Sequence, residues 1–265
     1  MEKSDYYIKP DTLVITATLG TRNSLPKTIK SVRENGGNRV HHVLTCPKSK
    51  LKALKARYPL LDVVEEPKEK KGIYTALNSV IKKYAKDYKY VTFINDDDYW
   101  LSGFKLLFLA LDKNQKLDAV YGRTLFVSES NKIIREQASS FRYKAFKALL
   151  SKRIVLFTQQ ATLIKSELFY EIGGFDENYK LIADSKFWAE AIDSGAQFSF
   201  IDTLAAAYTL QEGQLSSDKK TQNFEYNKLL KEKMFSKISL PVIVFESIIF
   251  RIHNIPVYLK RIFLK

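Results

Sequence analysis

Sulfur and imidazole are scarce in this chain, with one cysteine and three histidines among 265 residues. Cys46 has no partner for an internal disulfide, and a Cys/His zinc module is excluded. Any metal is therefore expected on oxygen ligands, and the chain reads as cytosolic. Long apolar runs are missing as well. No window supplies the roughly 18 uninterrupted apolar residues of a membrane span, and the charged start at residues 1–11 lacks the apolar stretch of a secretory signal. Acidic residues are in deficit, 29 Asp and Glu against 43 Lys and Arg, a net charge of +14. That surface field draws anions: nucleic acid, nucleotide phosphates or an acidic membrane face. Internal repeats and low-complexity tracts are also lacking. What remains is core material, 45% hydrophobic and 13% aromatic residues, too much for wholesale disorder and enough for one sizeable domain.

The first half alternates strand and helix. The β-branched run at 12–18, TLVITAT, reads as a buried strand. Ser24 is positioned as an N-cap with Pro26 in the first turn, and Gly36 and Gly37 close the helix at 25–35. Strands at 40–44 and 61–64 flank a short helix at 50–58. Ile73, Leu77, Val80, Ile81 and Tyr84 recur near the 3.6 period of a helix at 73–86, and YVTFI at 90–94 is apolar enough for burial on both faces. Strand and helix alternating at this spacing predict an α/β fold with a mainly parallel sheet. The second half predicts strands at 118–127, 132–135, 197–201 and 205–210, helices at 143–150, 165–172 and 183–194, and an extended stretch at 154–164. No linker interrupts 1–235, and 236–265 is set apart as a basic apolar tail.

Asn95-Asp96-Asp97-Asp98 stands beyond the carboxyl end of the 90–94 strand, where open parallel sheets bind ligands. One aspartate there caps a following helix. Three adjacent carboxylates exceed that need. Their mutual repulsion is relieved by a hard cation such as Mn²⁺ or Mg²⁺, which keeps water and substrate phosphate in its shell.

Gly72-Ile73-Tyr74-Thr75-Ala76-Leu77-Asn78, followed by a strand ending in that acidic run, resembles the family 2 glycosyltransferases of the GT-A fold. Gln159-Gln160-Ala161-Thr162, then Gly173-Gly174-Phe175-Asp176 and Ala183-Asp184, resemble further motifs of the family, and 212–217 resembles its GGIS loop. The resemblance implies a Rossmann-like, mixed and mainly parallel sheet flanked by helices, and transfer of a sugar from a nucleotide-sugar donor to a hydroxyl with inversion. It implies Asp97 and Asp98 as ligands of Mn²⁺ or Mg²⁺, and Asn95 and Asp96 beside ribose, metal or donor sugar. Asp184 takes the general base, where position alone allows a mere helix N-terminal residue. Thr16, Thr18 and Arg22 are implied at the nucleotide, and Lys71, Tyr74 and Asn78 near its base or phosphates. A solvated charge for Lys71 and simple turn chemistry for Gly72 are the plain alternatives. Leu19 and Thr45-Cys46 depart from the residues associated with the uracil ring, so UDP is an expectation and the base stays open, with Asp62, Glu65 or Glu66 as substitute acceptors.

The tail, SKISLPVIVFESIIFRIHNIPVYLKRIFLK, combines an apolar stretch at 240–250 with flanking Lys237, Arg251, Lys260, Arg261 and Lys265. It suits helices lying on an anionic membrane surface, which predicts a peripheral protein on the inner face of the cell membrane and a glycan or lipid-linked acceptor. Packing on the catalytic domain, or on a second subunit of a homodimer, is the alternative. A nucleic-acid protein leaves the acidic run unexplained. A nucleotidyltransferase would need a glycine-rich loop after the first strand, where Leu19-Gly20-Thr21-Arg22 has one glycine. A catalytically inactive nucleotide-binding module on the same fold stays open.

Overall fold

The computed structural model describes residues 9–211, 213–214 and 217–263. Of the GGIS-like loop, Glu212, Leu215 and Ser216 lie outside the described residues, as do Met1 to Ile8 and Leu264 and Lys265 of the tail.

The half built by alternation comes out as the pattern predicts. β1 (Thr12–Ala17), α1 (Leu25–Gly36), β2 (Val40–Cys46), α2 (Lys48–Arg57), β3 (Asp62–Glu65), α3 (Ile73–Tyr84) and β4 (Tyr90–Phe93) follow in order. Their strands lie parallel in the order β3-β2-β1-β4. Leu13, Val14 and Ile15 are completely buried because helices cover both faces of β1. Ser24 precedes α1, but its hydroxyl does not cap the helix. It donates instead to the carbonyl of Asp96 at 2.9 Å.

Beyond β4 the chain adds a two-residue strand β5 (Tyr99–Trp100), α4 (Phe104–Lys113), β6 (Ala119–Ser128), β7 (Ile133–Glu136), α5 (Phe146–Leu150), β8 (Thr162–Lys165), α6 (Ser166–Ile172), α7 (Ala183–Asp193) and β9 (Phe198–Leu210). β8 sits antiparallel between β4 and β6, β9 lies parallel to β6, and β7 pairs antiparallel with β6. The two strands expected at 197–201 and 205–210 are one strand whose register against β6 shifts between Tyr121 and Thr124. Gly122 permits the shift, since a Cβ there would stand 2.7 Å from the Cβ of Ala205 and 3.0 Å from the Thr203 carbonyl.

α8 (Lys219–Leu229), α9 (Lys233–Ser236), α10 (Leu240–His253) and α11 (Ile255–Phe263) close the chain. The tail packs on the domain: Phe250 and Val257 are buried, and Asn254 between α10 and α11 is fully enclosed. Its amide accepts from the Ser139 N–H at 3.0 Å and donates to the Ser139 carbonyl at 2.8 Å, satisfying both main-chain groups of that buried residue. Glu246 pairs with Arg142 alongside.

Candidate functional site

A large cleft of about 1740 Å³ opens over the carboxyl ends of β1 and β4 and extends to β7, α8 and the tail. Its acidic wall is positioned by α1. Ser24, Thr28, Ser31 and Asn35 recur at helical spacing on one face of that helix, and their polar groups grip the backbone of 96–100. Thr28 donates to the Asp98 carbonyl at 2.7 Å, Ser31 accepts from the Trp100 N–H at 3.0 Å, and Asn35 donates to the Trp100 carbonyl at 3.3 Å. Sequence reasoning missed this stripe, although its spacing is legible.

Of the three aspartates, two face the cleft and one does not. The Thr18 hydroxyl at the end of β1 donates to Asp96 Oδ2 at 2.6 Å. Burial, then the charge of Asp97, raise the Asp96 carboxyl above its ordinary range, while Thr18 and Arg22 oppose the rise. Arg22 bridges the pair, 3.6 Å from Asp96 Oδ1 and 3.7 Å from Asp97 Oδ2. Asp97 Oδ2 also accepts from Gln211 Nε2 at 2.7 Å, a residue not singled out by sequence, and from Gln214 Nε2 at 3.0 Å, which belongs to the GGIS-like loop.

Asp98 corrects the expectation of a metal ligand. It is 1% exposed and absent from the cleft wall. Its oxygens accept from the Thr209 N–H at 2.9 Å, Gln160 Nε2 at 2.9 Å and Asn95 Nδ2 at 3.1 Å, and burial followed by the charge of Asp97 pushes its carboxyl well above the usual range. It is the hub that ties β4 to β9. Asp98→Ala should cost about 3 kcal/mol by leaving those donors buried and unpaired, whereas Asp98→Asn should cost less. Denaturant unfolding checks this, and wild-type stability in the alanine variant would contradict it.

Two further implied residues also lie elsewhere. Thr16 is completely buried with its hydroxyl 2.9 Å from His42 Nε2, and burial holds that imidazole down at about 3, hence neutral. Thr16 lies within β1, where His42 of the neighbouring strand claims its hydroxyl, whereas Thr18 stands one residue past the strand's end, at the mouth of the cleft. Asn78 points away from the cleft. It holds the 173–177 turn by donating to the Phe175 carbonyl at 2.8 Å and to Glu177 Oε1 at 2.9 Å, and by accepting from the Phe175 N–H at 3.0 Å. Thr75 donates to Glu177 Oε2 at 2.9 Å, so the two motifs 72–78 and 173–177 are one structural unit.

Thr18, Arg22, Lys71, Tyr74, Asn95, Asp96, Asp97 and Asp184 all line the cleft. Of the substitute acids for the base end, Glu66 does so, while Asp62 pairs with His41 at 2.9 Å. Gly72 starts α3 with φ +147°, a conformation that side chains rarely adopt. The turn delivers Tyr74, whose hydroxyl donates to Asp184 Oδ1 at 3.1 Å.

Asp184 opens α7, and its Oδ1 also accepts from the Ser185 N–H at 2.8 Å. Burial raises this carboxyl to about 6, against the lowering effect of the Ser185 and Tyr74 bonds. A carboxyl tuned so is poised to take a proton near neutral pH. The approach to it is fixed by Glu225 of α8, which accepts from the N–H groups of Lys180, Leu181 and Ile182 at 2.6, 2.9 and 3.2 Å. Nothing local in the sequence announced Glu225, because its partners are about 45 residues distant and are main-chain groups.

The donor set at the acidic wall fits a hard divalent cation of the type that takes one or two carboxylates and completes its shell with water and substrate phosphate, here Asp96 and Asp97. Among the described residues no group of three or more His, Cys, Asp or Glu side chains is gathered for a metal.

The sequence profile of glycosyl transferase family 2 matches residues 13–173, and the chain belongs to that family. The mixed sheet flanked by helices is the GT-A fold. Among solved structures it is similar to S. aureus TarS 1-349, at 16% identity and TM-score 0.58 over 75% of this chain and 60% of that one. The same protein in complex with UDP-GlcNAc matches at 14% identity and TM-score 0.61 over 84% and 67%. The complex with UDP matches at 15% and 0.57 over 87% and 76%. The chain thus spans only part of the length of these proteins. No curated protein matches the sequence significantly.

Proposed function

We propose that this glycosyltransferase moves a sugar from a nucleoside-diphosphate donor to a hydroxyl of a glycan or lipid-linked acceptor, with inversion and with help from Mn²⁺ or Mg²⁺. The observation that carries the reading is one cleft holding the Asp96–Asp97 pair on one wall and Asp184, raised to about 6, on another. Single displacement needs both functions. Asp184 accepts the proton of the attacking hydroxyl, with Tyr74 orienting its carboxylate. Asp96 and Asp97 would hold the cation, which when bound neutralises charge on the departing diphosphate. Arg22 and Lys71 add positive charge to the same end of the cleft. TarS structures bound to UDP and UDP-GlcNAc support UDP as the donor nucleotide, and Glu66 is the acid available to a base edge. A thermal-shift panel of UDP-, GDP-, TDP- and CMP-sugars with and without Mn²⁺ tests the reading. A UDP-sugar should raise the midpoint, most with metal, and a panel without any shift would end it.

The tail supports peripheral attachment to an anionic membrane on the cytoplasmic side. α10 is mostly apolar, yet much of its apolar surface is left uncovered. Phe250 turns inward, while Val244, Phe245, Ile248 and Ile252 are 45–61% exposed and continue into Ile255, Leu259 and Ile262 of α11. Such a contiguous outward face calls for an apolar partner. Among the described residues no single helix is long and apolar enough to cross a membrane. Because Asn254 is built into the domain, point variants test this better than truncation. Phe245→Glu with Ile248→Glu should abolish cosedimentation with phosphatidylglycerol vesicles while the fold survives. Unchanged sedimentation together with loss of a dimer in gel filtration would assign the face to a second copy.

A further inference from the structure

The stretch of the cleft walled by β7 and the tail is cationic. Arg135 of β7, Arg251 of α10 and Arg261 of α11 all line it. The Arg135 guanidinium lies 4.3 Å from the centroid of the Phe126 ring, and both burial and the charge of Arg261 lower its affinity for its proton. Two guanidinium groups thus share this stretch of the cleft wall, near enough for one charge to act on the other. Arg261 donates to a neutral acceptor, the Glu136 carbonyl, at 3.0 Å, and its Nε is buried with no hydrogen-bond partner among the described residues. The nearby carboxylate offers no relief, since Glu136 pairs with Arg123 at 2.7 Å and Lys260 at 3.2 Å. Like charges gathered along a cleft wall, with the neighbouring carboxylate already paired, favour entry of an anion.

The fold spends two devices on this arrangement. Asn254, fully enclosed against Ser139, sets the bend of 56° between α10 and α11. That bend aims Arg261 inward while Ile255, Leu259 and Ile262 face out. The arginine is thus turned away from the face that would meet lipid. Planar guanidinium groups in pairs match the oxygens of a phosphoryl group by parallel hydrogen bonds. The donor diphosphate already has its place among Asp96, Asp97, Arg22 and Lys71, and a cleft of about 1740 Å³ exceeds the roughly 300–1,000 Å³ of a pocket for one small ligand.

We propose that Arg135, Arg251 and Arg261 form a phosphoryl subsite for the acceptor, gripping a phosphate or diphosphate that joins its glycan to a lipid while the hydroxyl reaches Asp184. This rests on the glycosyltransferase reading above and adds the class of acceptor. In a lipid-linked glycan the phosphoryl group sits at the junction of sugar and membrane, and two of the three arginines belong to helices with an apolar outer face.

The test compares the full chain with Arg135→Gln, Arg251→Gln and Arg261→Gln in three binding assays: farnesyl diphosphate as a soluble probe, UDP with Mn²⁺, and phosphatidylglycerol vesicles. Each variant should lose about tenfold or more in affinity for farnesyl diphosphate, the scale of a lost charged hydrogen bond, with UDP affinity within about twofold of wild type and vesicle sedimentation unchanged. A parallel loss of UDP affinity would hand the arginines to the donor and overturn the proposal. A loss confined to vesicles would make them headgroup contacts, and unchanged farnesyl diphosphate affinity would leave no subsite. Should Arg261→Gln unfold, the exposed Arg251→Gln decides. Failure of the wild type to bind any nucleotide would instead strike the donor reading, leaving the farnesyl diphosphate arm to judge the subsite.

Discussion

Replacing Asp184 by Asn is expected to lower turnover by about 10²- to 10⁴-fold, the usual worth of a general base, while donor affinity stays close to wild type. The asparagine keeps the shape and the bonds from Tyr74 and Ser185 but cannot take a proton. The pH profile supplies a second signature. Because burial holds the carboxyl at about 6, its basic form fills as pH rises through that value. Wild-type turnover should therefore climb with pH up to about 6 and flatten above it, and the variant should lack that limb. Stability should move the other way. A carboxyl raised in the folded state binds its proton more tightly there than in the unfolded chain, so its ionisation destabilises the fold as pH rises from about 4 through 6. Asp184→Asn should then melt higher than wild type at neutral pH and lose that advantage in acid. Full activity in the variant would move the base elsewhere.

Asp97→Ala should abolish transfer and remove the effect of Mn²⁺ on donor binding, a loss on the order of 100-fold or more in donor affinity with metal present. Asp97 joins the two cleft-facing partners of the acidic wall, Arg22 and the Gln211–Gln214 pair. Asp97→Asn separates charge from shape, since an amide can still meet a glutamine but neutralises no cation. Titration calorimetry with a UDP-sugar, with and without Mn²⁺, reads both variants. Wild-type turnover by Asp97→Ala in metal-free buffer would remove the cation from the mechanism.

The parallel half of the fold was legible because its physics is local. An apolar strand such as β1, a helix with a 3.6-residue stripe such as α3 and the glycines ending α1 each carry their signal within a dozen residues. The antiparallel half was read less well. β9 seemed two strands because Asp202 and Thr203 interrupt its apolar run, and only the shift opposite Gly122 carries the chain through. Within the acidic run the limit was sharper. Composition marked three equivalent aspartates, and nothing in adjacent residues told that Asp98 would turn inward to meet Gln160 and Thr209, 62 and 111 positions away. Asn78 and Thr16 failed as ligands for the same reason, being claimed by Phe175, Glu177 and His42.

The sequence by itself determined the order of strands and helices in the parallel half, the acidic run beyond β4, the basic surplus and the apolar tail, because periodicity and composition need only neighbours along the chain. Tertiary structure alone decided which carboxylates face the cleft, that Glu225 holds the turn before Asp184, and that the tail brings Arg251 and Arg261 to the cleft beside Arg135. Side-chain direction and charge proximity arise from contacts between segments tens to hundreds of residues apart, and no local pattern encodes them.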